Sequence, residues 1–161
     1  MKKWLCVAVL AASMAGLVSA ADISLFSSYV KADGDTRFVV VANGNTIWFG
    51  DPNDSEWRKV ETRNLPAGFS VRLLETYVKD DGNTRFCVVL ADNTIWFADP
   101  NQGEWRKVQK NGLPSAGIKD FNAYVKPNGD TRFCVLLDDN SIWFGDPNSG
   151  DWRQTDVSGV K

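Results

Sequence analysis

The chain has 161 residues, with 18 basic and 20 acidic side chains, three cysteines and no histidine. Without histidine, imidazole acid–base catalysis, Ser-His-Asp and Cys-His nucleophile arrangements and most zinc sites are excluded. A net charge of −2 with no run of Lys or Arg excludes a nucleic-acid footprint.

The first predicted element is a leader. Residues 1–20, MKKWLCVAVLAASMAGLVSA, place Lys2 and Lys3 before an apolar stretch from Trp4 to Leu17 and close on Val18-Ser19-Ala20. That is the layout of a secretory signal peptide, with cleavage expected before Ala21. The apolar stretch is too short for a spanning helix, which needs about 20 residues. Cys6 lies early in that stretch and not at the cleavage site, which argues against a lipid anchor. No later segment is apolar enough to enter a membrane. The expectation is an exported protein, periplasmic or extracellular, with residues 21–161 forming a single domain.

Those residues repeat one unit three times. TIWFGDPNDSEW (46–57) returns as TIWFADPNQGEW (94–105) and SIWFGDPNSGDW (141–152), and Tyr29, Tyr77 and Tyr124 stand 48 and 47 residues apart. The copies run over 25–69, 73–118 and 119–161. A period of this size marks a repeat architecture. Within the second copy, ETYVK is a first strand and DDGN a tight hairpin turn. TRFCVVL is a β-branched and aromatic second strand, TIWFA a third, DPNQG a Pro- and Gly-bearing turn, and EWRKV a fourth strand. No sustained helical period follows residue 20. The expected class is all-β, four strands per copy.

Two architectures suit three such copies: propeller-like blades, or a β-trefoil monomer closed by pseudo-threefold symmetry. The strands favour blades. In RFCVVL, Phe86, Val88 and Leu90 point one way and Cys87 and Val89 the other, so both faces are apolar, as a sheet sandwiched between neighbours requires. RFCVLLDDNSIWFGDPNSGDW resembles the second to fourth strands of blades in tectonin-type and quinoprotein-type propellers. DPNSGDW is also similar to the Asp-box turn of sialidase-type propellers, although the step from Gly150 to Trp152 is one residue short and Gly145 replaces the usual Ser. The resemblance implies a blade shape and carries no active site with it.

Three blades do not close a ring, since rings use about 4 to 8. The blade reading therefore expects a homodimer of six blades, joined where the chain begins and ends. Alone, a half-ring would leave a face such as Phe38, Val40 and Trp48 wet. Cys87 and Cys134 hold equivalent positions in consecutive copies, where Val39 stands in the first. Equivalent positions point in the same rotational sense, so the two thiols do not face one another as a disulfide requires. Both are expected to be free and apolar in role.

The candidate site lies on the repeated turn. Asp51, Asn53, Trp57 and Arg58 recur as Asp99, Asn101, Trp105 and Arg106, and as Asp146, Asn148, Trp152 and Arg153. An Asx-turn accounts for the Asp and Asn. The set also suits a sugar, whose C–H faces stack on indole and whose hydroxyls take carboxylate, amide and guanidinium partners. Trp48, Trp96 and Trp143, with Ile and Phe on the opposite strand face, read first as packing between sheets. Arg37, Arg85 and Arg132 read as partners of turn acids. DPNSGD offers oxygens from Asp146, Asn148 and Asp151 but lacks the EF-hand spacing and its bidentate Glu. No metal or cofactor is expected. No copy carries the unusual polar cluster of an active site, so no enzyme is expected either.

The leading function is an exported lectin-like carbohydrate-binding protein with one site per copy and a glycan as its ligand. The alternatives are a protein–protein interaction scaffold and a trefoil-type hydrolase inhibitor. The latter two predict that one copy departs, and Ser55, standing where Gly103 and Gly150 stand, is the visible departure.

Overall fold

The computed structural model describes residues 21–54 and 56–160; the expected leader lies outside them. Twelve strands follow one another: β1 (Ile23–Val30), β2 (Thr36–Ala42), β3 (Thr46–Gly50), β4 (Trp57–Lys59), β5 (Val71–Val78), β6 (Thr84–Leu90), β7 (Ile95–Ala98), β8 (Arg106–Lys107), β9 (Ile118–Val125), β10 (Thr131–Leu137), β11 (Ile142–Gly145) and β12 (Trp152–Gln154). They form three separate four-stranded antiparallel meanders, sheet 1 (β1–β4), sheet 2 (β5–β8) and sheet 3 (β9–β12). The described residues form no closed barrel. Each copy is thus one blade-like sheet, with the four strands the sequence implies. The first strand of a copy reaches further back than expected, since β5 takes in Val71–Leu74, and the fourth is as short as Arg106–Lys107.

The second and third strands of each sheet are joined by turns in which Asn43, Asn93 and Asn140 adopt the left-handed conformation, with φ of 50°, 61° and 64°. Asparagine tolerates that region because its short amide bonds locally. The tight turn fixes the register, pairing Val39 with Phe49 and Val40 with Trp48, and so decides which residues share a face.

The three sheets stack face against face in chain order. Phe86, Val88 and Leu90 of β6 meet Val39, Val41 and Ile47 of sheet 1. Cys87 and Val89, on the other face, meet Phe133, Val135 and Leu137 of sheet 3. Both faces of β6 are therefore buried, as the two-sided apolar pattern requires. Each such side chain contributes about 1.5–3 kcal/mol on burial. The first strands run beside one another, and the Ser27 and Thr76 hydroxyls hydrogen-bond between β1 and β5 at 3.1 Å. Cys87 is fully buried against sheet 3, Cys134 is half-buried on the far side of that sheet, and both thiols are free.

The connection leaving each sheet clasps the next one. After β4, the Arg63 amide donates to the Gly103 carbonyl and the Trp105 amide to the Arg63 carbonyl, each at 3.1 Å. Asn111 does the same between Gly150 (2.9 Å) and Trp152 (3.1 Å). The approach is so close that a Cβ on Gly103 would lie 2.3 Å from that of Glu61, and one on Gly150 2.4 Å from that of Gln109. Both glycines also have positive φ, so two constraints coincide there.

Sheets 1 and 3 each keep one outer face. Of the exposed large apolar side chains among the described residues, all but Val160 lie on these two faces: Ile23, Phe26, Val30 and Trp57 on sheet 1, Tyr124 and Phe144 on sheet 3. On sheet 1, Phe38 and Trp48 are half-buried and Val40 is covered within the sheet, so the wet surface expected at those residues is carried chiefly by Phe26 and Trp57.

Candidate functional site

Pairing of the first three strands in a sheet brings the start of the second strand beside the turn after the third. Arg37, near the start of β2, therefore faces Asp51, and the two form a close ion pair. Arg85 reaches Asp99 and Arg132 reaches Asp146, each through Nη1 to Oδ2 at 3.0 Å. The same Nη1 donates to the carbonyl of the preceding threonine at 2.8–2.9 Å, which fixes the guanidinium. The other carboxylate oxygen accepts the backbone amide of Asn53, Asn101 or Asn148 at 2.8, 2.9 and 2.8 Å. The Asx-turn is therefore present, and its aspartate is also the anchor of an arginine. The Asn53 amide, and then the Arg37 charge, hold the Asp51 carboxyl below the usual aspartate value.

These pairs floor a repeated cleft at one end of each sheet. The first, of about 240 Å³, has Tyr29, Arg37, Phe49, Asp51 and Arg58 on the sheet 1 side and Thr84, Pro100 and Asn101 on the sheet 2 side. The second, of about 230 Å³, repeats the plan with Tyr77, Arg85, Phe97, Asp99 and Arg106 against Thr131 and Asn148. The third, of about 420 Å³, has Tyr124, Arg132, Phe144, Asp146 and Arg153, all from sheet 3.

Aromatic packing makes the walls. Phe86 of sheet 2 sets its ring edge-on between Tyr29 and Phe49, at 5.8 and 5.6 Å between centroids. Phe133 of sheet 3 enters between Tyr77 and Phe97, at 6.0 Å from each. Such edge-to-face contacts add about 0.5–1.5 kcal/mol per pair beyond area burial. Thr84 lines the first cleft with Tyr29 across the joint, and Thr131 lines the second with Tyr77. Burial raises the pKa of both phenols, so they stay protonated donors.

The expected site residues divide. Asp51, Asp99 and Asp146 and Arg58, Arg106 and Arg153 line the clefts of their own copies. Asn101 and Asn148 line the cleft of the preceding copy, a placement no local motif announces, while Asn53 is exposed on its turn. The tryptophans part company. Trp105 and Trp152 are buried at 1% and 6% exposure, with their indole N–H groups donating to the carbonyls of Glu61 (3.0 Å) and Gln109 (3.1 Å), whereas Trp57 is 40% exposed. Two of the three are thus covered by the preceding copy's connection and offer no stacking face. The aromatic surface of each cleft comes instead from the Tyr of the first strand and the Phe of the third. Trp96 and Trp143 pack between sheets, their indoles held by Thr94 (2.8 Å) and Ser141 (2.9 Å). The residues the turn motif missed are Arg37, Arg85 and Arg132, whose signal is the constant 14-residue step to Asp51, Asp99 and Asp146.

Among the described residues no group of three or more His, Cys, Asp or Glu is placed to hold a metal ion. The clefts hold a guanidinium with its carboxylate, a second guanidinium, a phenol and an apolar ring. That combination gives donors and acceptors side by side for paired hydroxyl groups, with an apolar wall for C–H surface.

No family model matches the sequence, and no curated protein matches it. Among solved structures, the fold is similar to that of a fucose lectin from Kordia zhangzhouensis in complex with methyl-fucoside, with a TM-score of 0.55. The match covers 81% of this chain and 97% of the lectin chain at 14% identity, and shows a shared fold.

Proposed function

We propose that this protein is an exported carbohydrate-binding protein whose sites are the clefts between sheets. The observation that carries this reading is the recurrence of one donor–acceptor–aromatic constellation: Tyr29, Arg37, Phe49, Asp51 and Arg58, repeated from Tyr77 to Arg106. A fold could be held by the buried rings alone. The Arg–Asp pair floors the cleft with each side chain still partly in solvent, where it is available to a polar ligand. The structural likeness to a fucose lectin supports a saccharide as the ligand and makes fucose the first sugar to try.

Glycan-array binding of residues 21–161, fucosides included, tests the reading. Arg85→Ala removes the guanidinium from the second cleft and lets Asp99 turn to water. It is expected to abolish binding there while the first cleft keeps its affinity, lowering the sugars bound per chain by one in calorimetry. A fold-intact chain that binds no glycan would move the function to a protein-binding scaffold.

The leader reading completes the proposal. Expressed in a host that exports it, the protein is expected to begin at Ala21 by N-terminal sequencing; an intact Met1 terminus on exported material would rule out cleavage.

A further inference from the structure

We propose that two copies of this chain close on one another, and that the third cleft is completed by the second copy. The inference rests on the clefts being the glycan sites.

Inside the chain, every junction is built alike. A Phe from the next sheet enters between a Tyr and a Phe, and a Thr from that sheet lines the cleft with the Tyr. The outer face of sheet 3 presents the receiving half: Tyr124 and Phe144, 42% and 36% exposed, with Arg132 and Asp146 below them. The outer face of sheet 1 presents the entering half. Phe38 stands where Phe86 and Phe133 stand, Thr36 where Thr84 and Thr131 stand, and Asn53 where Asn101 and Asn148 stand. Their setting shows what is missing: Thr131 is buried and Thr84 half-buried, but Thr36 is exposed; Pro100 and Pro147 are buried, but Pro52 is exposed.

The third cleft carries the same mark. It is about 420 Å³ against 240 and 230 Å³, and its lining has no residue from a following sheet. Docking the second copy's sheet 1 on sheet 3 puts its Phe38 between Tyr124 and Phe144, its Thr36 in the cleft wall beside Tyr124, and its Pro52 and Asn53 on the open side. The same operation in reverse closes the other joint. Two chains then make a closed six-sheet ring, a size within the known range of about 4 to 8.

This joint differs from the internal ones in a defined way. Ser55 replaces the glycine that admits the clasping connection, and Asp120 and Thr155 replace Leu25 or Leu73 and Val60 or Val108 on the receiving face. The joint between copies is therefore more polar and lacks the glycine-dependent clasp, as suits a face that must stay soluble until its partner arrives.

Light scattering of residues 21–161 tests the proposal. The expected mass is that of two chains, and Phe26→Asp, at a side chain already 58% exposed, is expected to give one folded chain. Calorimetry with a glycan that binds is expected to fall from three sites per chain to two. Maleimide is expected to label Cys134 in the variant and neither thiol in the dimer, because Cys87 is fully buried in both. A wild-type chain that stays single at about 100 μM would overturn the proposal, as would a dimer indifferent to Phe26→Asp. A dimer broken by Phe26→Asp but blind to every glycan would support the joint and overturn the ligand.

Discussion

Trp105→Ala is expected to destabilise the chain by about 3–5 kcal/mol, whereas Trp57→Ala at the equivalent position is expected to change the stability of the single chain by less than about 1 kcal/mol. The two residues share a sequence context, GEW against SEW, and differ in what lies over them. Trp105 is 1% exposed, its indole fills the junction of sheets 1 and 2, and its N–H is bonded to Glu61. Truncation leaves a cavity that a connection anchored at both ends cannot fill, and leaves the Glu61 carbonyl without its donor. Trp57 lies on the outer face of sheet 1 and is 40% exposed, with no connection clasped over it among the described residues. Urea unfolding at low protein concentration measures both. Equal losses for the two variants would mean that the copies are energetically independent and that the stacking contributes little.

Gly103→Ala carries the second large expected effect, a loss of about 2–4 kcal/mol. Part is conformational: a φ of +66° costs an L-residue about 1–2 kcal/mol. The remainder is steric, because the new methyl would stand 2.3 Å from the Glu61 Cβ and 3.0 Å from its carbonyl oxygen. Relief requires the connection to move, which breaks the paired hydrogen bonds of Arg63 with Gly103 and Trp105. Gly34→Ala separates the two contributions. Its φ is +89° but nothing lies within 4 Å of the added atom, so only the conformational cost of about 1–2 kcal/mol is expected. If thermal unfolding shows the same loss at both sites, the close approach at Gly103 has no energetic consequence.

Much of the fold was legible because it is written locally and three times. The period, the four strands and the two apolar faces of TRFCVVL follow from alternation, and alternation survives into the structure as Phe86 and Val88 against Cys87 and Val89. The separation of Cys87 from Cys134 followed from the same logic. The site was less legible because it belongs to no single copy. Asp99 and Arg106 are visible on their turn, but the wall that makes a cleft of them, Thr131 and Asn148, comes from 25 or more positions downstream. Trp105 and Trp152 resembled stacking platforms because the turn alone looks exposed, and nothing in DPNQGEW records that Glu61 arrives to cover it. The sequence around Arg85 reads as an ion pair with a turn acid, and the pair forms with Asp99. Only the placement of Tyr77 and Phe97 beside it makes the ion pair part of a candidate site.

Sheet 1 and sheet 3 are each packed against sheet 2, and the connections clasp only consecutive units. The energetics are therefore those of a short one-dimensional array, in which each unit draws stability from its nearest neighbours. Sheet 2 has two neighbours and its flanking sheets have one, so amide exchange in an isolated chain should be slowest in β6, with opening entering from either end. Ring closure would remove the ends themselves, giving all three units the same two neighbours and turning gradual fraying into one cooperative transition.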